Sequence, residues 1–286
     1  MCFGVRDAIR FAQDQSTAQP VTVLGDLVHN ESVLDELRAS GVQFQQRVSD
    51  VGTRSVMITA HGASQRTMAA VRERGLNVLE ATCPLVHAAH RAVGRLVSDG
   101  FHPVIIGKRD HVEVRGLTED LEQFDVVLDE ADVAALKERP RFGIAAQTTQ
   151  PIDRVRRLVR LIGERFPQSQ LRFVDTVCQP TKQRQTAAIE MASKSDVVIV
   201  IGGAHSNNTH ELVRTCGRFC SRVHHVQRAA DLRAEWFDGA GITGLTAGTS
   251  TPDWIVDEVE RWLIDFSRSA KAGTAPAVDR VNEAAR

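Results

Sequence analysis

The sequence predicts an α/β fold made of three pseudo-threefold-related αβα domains, each built on a small parallel-type sheet. Three observations lead there. Cys2, Cys83 and Cys178 each open an amphipathic stretch: GVRDAIRFAQ, PLVHAAHRAVGRLVSDG and QPTKQRQTAAIEMASK. Each stretch is followed by an apolar, β-branched run closed by a glycine, at Gly25, Gly107 and Gly202. Four residues past each glycine stands a polar residue. These residues, His29, His111 and Ser206, lie 27, 28 and 28 positions after their cysteines. Strand runs alternating with helical periods read as parallel α/β units.

A second strand–helix unit completes each repeat. Its strands are SVMITAHG, RFGIAAQTT and ITGLTAGTS, which end in small or polar residues at His61, Thr148 and Ser250. The helices SQRTMAAVRERG, PIDRVRRLVRLIGERF and PDWIVDEVERWLIDF follow. The strands LNVLEATC and LRFVDTVC then lead into Cys83 and Cys178, whereas none precedes Cys2. The expectation is that the chain is truncated before Cys2 or that one sheet is a strand short. The predicted domains are 1–82, lacking its N-terminal strand, then 83–177 and 178–266, with a mobile tail over 267–286.

Composition narrows the classes. The chain has 286 residues, 42% hydrophobic and 25% charged, with a formal net charge of -1. No global basic field argues for nucleic acid. No apolar run is long enough to span a membrane and no secretory leader is visible, so a cytoplasmic location is expected. In a reducing compartment, five cysteines read as catalytic, metal-bound or reduced rather than as disulfides.

Three equivalent cysteines suit a metal centre. An iron–sulfur cluster is held by thiolates, and a four-iron cluster with three protein ligands keeps one iron open, which is a catalytic arrangement. Zinc is the competing occupant, although the local CxxC or HxxxH pairs of structural zinc sites are missing. Cys216 and Cys220 form a CxxxC that reads as buried small residues.

Ligands of parallel sheets bind at the carboxyl ends of the strands. Those ends carry His29, His61, His111, Thr148, Ser206, Asn207, Asn208 and Ser250. Such a ring of neutral or cationic donors beside helix N-termini favours an anion such as phosphate. No Walker loop or G-x-G-x-x-G is present to specify a nucleotide. Glu113 is the one carboxylate two residues past a repeat histidine. In an apolar pocket its pKa would rise, which suits proton delivery, whereas beside Arg115 it could instead be a solvated surface group.

These residues resemble the 4-hydroxy-3-methylbut-2-enyl diphosphate reductase (LytB) family. The matching stretches are CFGVRDAI, LVHN, TAHGAS, EATCPLVHAAH, HVEV, QTT, DTVC, QRQ, SNN and TAGTSTPD, in family order over about residues 1–265. The resemblance implies three αβα domains around one central [4Fe-4S] cluster per chain, held by Cys2, Cys83 and Cys178 with one iron open. It implies an allylic diphosphate substrate, with Glu113 relaying a proton assisted by Thr148 and His111. His29, His61, His111, Thr148, Ser206, Asn207, Asn208 and Ser250 would grip the diphosphate. A ferredoxin or flavodoxin would supply electrons. A diverged paralogue acting on a related allylic diphosphate, or a non-catalytic redox sensor, are the alternatives. The chain departs from the family pattern after Glu113, where VRGLTED places Leu117, Glu119 and Asp120, at Asn207, and in the loop Cys178-Gln179-Pro180-Thr181-Lys182.

Overall fold

Apolar alternation is resolved into three four-stranded parallel sheets among the described residues of the computed structural model, 1–271 and 277–278. In the first repeat, α1 (Phe3–Ala18) leads to β1 (Val21–Leu24), α2 (Glu31–Ala39), β2 (Gln43–Gln45), β3 (Ser55–Ile58), α3 (Gln65–Glu73) and β4 (Asn77–Glu80). The second runs α4 (Pro84–Ser98), β5 (His102–Ile106), α5 (Val112–Thr118), β6 (Asp125–Val127), α6 (Glu130–Ala135), β7 (Arg141–Ala146), α7 (Ile152–Arg165) and β8 (Gln170–Phe173). The third runs α8 (Gln179–Ala192), β9 (Val197–Ile201), α9 (Asn207–Cys216), β10 (Val223–Val226), β11 (Ile242–Ala247), α10 (Asp253–Lys271) and β12 (Ala277–Val278). The three sheets share one order: β2-β1-β3-β4, β6-β5-β7-β8 and β10-β9-β11-β12.

Each central strand is buried on both faces, as parallel strands under two helix layers must be. Val104 and Ile106 of β5 pack with Phe142 and Ile144 of β7 against Val155, Leu158 and Ile162 of α7. Ile105 and Ala145 face the other way, onto Val93 and Leu96 of α4 and Leu117 of α5. The third sheet repeats the device, with Val197, Ile199 and Ile201 toward Ile255 and Val259 of α10, and Val198 and Val200 toward α8 and α9.

One expectation changes. β4 pairs with β3 and β8 with β7, so each completes the sheet that precedes its cysteine. None of the three sheets is a strand short, because β12 takes the fourth place in the third, pairing Ile242 with Ala277 and Thr243 with Val278. Parallel pairing needs a long crossover, and α3 and α7 supply it for β4 and β8. In the expected tail, α10 continues to Lys271; apart from Ala277–Val278 the rest lies outside the described residues.

The chain divides into two compact units. One comprises Gly4–Val28 and Leu34–Cys178 and holds the first two sheets; the other comprises Met1–Phe3, His29–Val33 and the chain from Gln179 onward. Among the described residues no helix is long and apolar enough to cross a membrane.

Candidate active site

The three cysteines hold equivalent backbone positions. The N–H of Cys83 donates to Ala60 O at 3.1 Å, that of Cys178 to Thr148 O at 3.0 Å and that of Cys2 to Thr249 O at 3.0 Å. Each acceptor lies two residues past the end of β3, β7 or β11, and each cysteine directly precedes α4, α8 or α1. All three cysteines are partly exposed, whereas Cys216 and Cys220 are buried. Burial, reinforced by Cys220, pushes the Cys216 thiol up to about 12, so it stays protonated.

Within the larger unit, Gly4 lies against Cys83. A Cβ at residue 4 would come within 2.5 Å of the Cys83 Sγ, so only glycine leaves that sulfur its place. No three metal-ligating side chains among the described residues converge tightly enough for a single ion. A multi-iron cluster is bound through separate irons, and its thiolates therefore stand farther apart than the ligands of one ion. Partly exposed cysteines at helix starts, one of them cradled by a glycine, fit such a group.

Glu113 is 1% exposed, which overturns the solvated reading. Its carboxylate accepts from Thr148 N–H at 2.6 Å and from Thr148 Oγ at 3.1 Å. Burial raises its pKa from 4.5 to about 7, with the two Thr148 bonds acting in the opposite direction. A carboxyl poised there exchanges a proton near neutral pH. His111 caps α5, its Nδ1 accepting from Glu113 N–H at 3.2 Å. With Nδ1 an acceptor, the proton of the neutral ring sits on Nε2. The His61 ring meets His111 edge to face, with centroids 5.7 Å apart. His61, His111, Glu113 and Thr148 are therefore one assembly within the larger unit.

The other unit gathers His29, Ser206, Asn207, Asn208 and Ser250. Ser250 Oγ donates to His29 O at 3.2 Å. Gly203 sits so close to this segment that a Cβ would fall 2.4 Å from His29 O. Ser206 caps α9, accepting from Thr209 N–H at 3.3 Å. The Asn207 and Asn208 amide nitrogens are buried with no hydrogen-bond partner among the described residues. Two orphaned donors at a helix N-terminus are what an anion would satisfy.

Sequence reasoning missed several contributors. Gln147 is fully buried, and its Oε1 accepts from Lys108 N–H at 3.1 Å, bracing the loop that carries Thr148. Arg184 donates to Ala247 O at 2.7 Å, tying α8 to the end of β11. A glutamine inside the small-residue strand end AAQTT was the visible signal for the first; Gly4, two residues after a cysteine, was a signal for the cradle.

The class defined here is a parallel α/β protein whose strand-end loops carry equivalent cysteines, buried polar side chains and a buried carboxyl whose pKa is raised to about 7. The chain belongs to the LytB protein family, which it matches over residues 1–264. It is 33% identical over 272 residues to the 4-hydroxy-3-methylbut-2-enyl diphosphate reductase of Syntrophotalea carbinolica, covering 93% of this chain and 96% of that one. A solved structure of (E)-4-hydroxy-3-methyl-but-2-enyl diphosphate reductase, described as the terminal enzyme of the non-mevalonate pathway, is 32% identical with a TM-score of 0.66, covering 93% of this chain and 96% of that one. The E-1-hydroxy-2-methyl-but-2-enyl-4-diphosphate reductase of Plasmodium falciparum, 24% identical, shares the fold with a TM-score of 0.87 over 99% of this chain and 91% of that one.

Proposed function

We propose that this chain is the reductase that removes the allylic hydroxyl of 4-hydroxy-3-methylbut-2-enyl diphosphate, the last step of the methylerythritol phosphate route. Two electrons and two protons enter, the C–O bond breaks, and the products are water with isopentenyl or dimethylallyl diphosphate. Full-length similarity to relatives bearing that name supports the reading. The observation that carries it is the buried Glu113–Thr148 pair beside His111, which a structural or sensory protein does not need.

Cys2, Cys83 and Cys178 would hold one [4Fe-4S] cluster. When bound, it supplies single electrons and a Lewis-acidic open iron. The chain's own residues do the rest. Glu113, about half protonated near pH 7, has a proton to give to the departing hydroxyl, and Thr148 Oγ lies in hydrogen-bond contact to pass it. Burial keeps that proton from bulk water. His61, His111 and Thr148, with His29, Ser206, Asn207, Asn208 and Ser250, would grip the diphosphate. The orphaned Asn207 and Asn208 amides support that assignment. A ferredoxin or flavodoxin in the cytoplasm would deliver the electrons.

Anaerobically reconstituted protein should contain about four irons per chain, absorb broadly in the visible and turn over the substrate with a chemical or protein reductant. Glu113→Gln should keep the iron and lose turnover by about a hundredfold. Unchanged turnover in the variant would reject the proton relay. Zinc without iron, or no turnover in the loaded wild type, would reject the reductase.

A further inference from the structure

The N-terminus of α3 is closed by two carboxylates that the proposed reaction leaves unused. Asp120 takes the first two amides of the helix, Oδ2 accepting from Gln65 N–H at 2.7 Å and Oδ1 from Arg66 N–H at 3.0 Å. Ser64, the N-cap, accepts from the third amide, that of Thr67, at 3.0 Å. Glu119 then secures the cap, accepting from the hydroxyls of Ser64 and Thr67. The orphan donors that ordinarily make a helix start attractive to anions are thus spent inside the protein. Both carboxylates lie just past α5.

The position of this clamp matters because of what stands at its two ends. His61 lies three residues before the cap, across Gly62, whose φ of +75° makes it a pivot. Behind it, the His61 N–H reaches Thr59 Oγ at 3.3 Å. Ahead of it, Ser64 is held by Glu119. α5 starts at the His111 cap and ends at the clamp, so both belong to one short rigid helix. Its middle comes close to the same loop: a Cβ at Gly116 would lie 3.7 Å from the Ala63 Cα. The clamp therefore joins the loop that carries His61 to the helix that carries His111, at the far end from their ring contact.

We infer that Asp120 and Glu119 are positioning residues, which hold the His61 loop against α5 and so set the His61–His111 pair for the anionic part of the substrate. The inference rests on the diphosphate reading of that pair, and its sign is diagnostic. Deleting a nearby carboxylate, by charge alone, would tighten the binding of an anion. Losing a positioning clamp loosens the histidine pair and weakens binding. A purely structural cap would lower the melting temperature and leave affinity alone.

The test is Asp120→Ala and Asp120→Asn in the cluster-loaded enzyme, with steady-state kinetics and calorimetric titration of inorganic diphosphate. Alanine removes both acceptors and asparagine keeps one. The expected result is a rise of about tenfold in KM and in the diphosphate Kd for alanine and about threefold for asparagine, with kcat falling less than KM rises. Unchanged or tighter diphosphate binding in a folded variant overturns the inference, as does a loss confined to kcat. If the alanine variant does not fold, the asparagine variant decides by the same signs. Wild type that binds diphosphate but reduces no substrate, with binding weakened in the variants, would leave the clamp standing and remove the reductase. Wild type without diphosphate affinity would remove both.

Discussion

Glu113 links stability to pH in a direction that can be worked out beforehand. Its pKa in the fold is about 7, above the ordinary 4.5, because burial disfavours the carboxylate. The folded state therefore holds a proton that the unfolded chain has released, and between those two values stability falls as pH rises. The penalty is absent well below 4.5 and complete above about 7. At ~1.4 kcal/mol per pH unit it reaches roughly 3 kcal/mol. Glu113→Gln removes it, since an amide does not ionise. Its carbonyl still accepts from the Thr148 N–H and its NH2 can donate to the Thr148 hydroxyl. The advantage of the variant over wild type should be about 1 kcal/mol at about pH 5.5 and about 3 kcal/mol at about pH 8. Any fixed cost of the substitution shifts both values equally, so the rise of about 2 kcal/mol is the observable. Paired anaerobic urea unfolding of the two loaded proteins, run side by side across that range, measures it, with the cluster common to both. A difference that stays flat with pH, or that moves in favour of wild type, would show that the Glu113 carboxyl is not held protonated by its surroundings.

The other predictions concern the cysteines. Gly4→Ala should force the Cys83 sulfur aside, because the added methyl would sit 2.5 Å from it, and iron per chain should drop by more than half on elemental analysis. Full loading would show that the cradle yields without cost, whereas overpacking of this kind ordinarily costs about 1–3 kcal/mol. Cys216→Ser should leave iron content at the wild-type value, because the protonated, buried thiol is no ligand; a measurable loss of iron would contradict that.

Some of this was open to a reader of the chain alone because α/β patterning is local. The β-branched runs, the glycines that end them and the cysteine-to-polar intervals all follow from neighbours in sequence, and they located the strand ends. Thr148 and Glu113 could each be named, but not their contact. They are 35 positions apart, and only the packing of α5, through Val114 and Leu117, against Ala145 of β7 brings them together. Arg115, two residues further on, suggested solvation; instead it is exposed on α5 while Glu113 is buried. Helix geometry permits both readings until a neighbour covers one face.

By itself the sequence determined the class, the repeat and the equivalent placement of three cysteines, since these depend on periodicity and on residue chemistry. Tertiary structure decided which sheet each strand joined, because β4 and β8 bond to partners on the far side of a helix. It decided that Gly4 cradles a sulfur some eighty residues away and that Glu119 and Asp120 close a helix more than fifty residues before them. Those are long-range contacts of single side chains. They leave no periodic trace in the chain, because nothing repeats when one carboxylate meets one helix end.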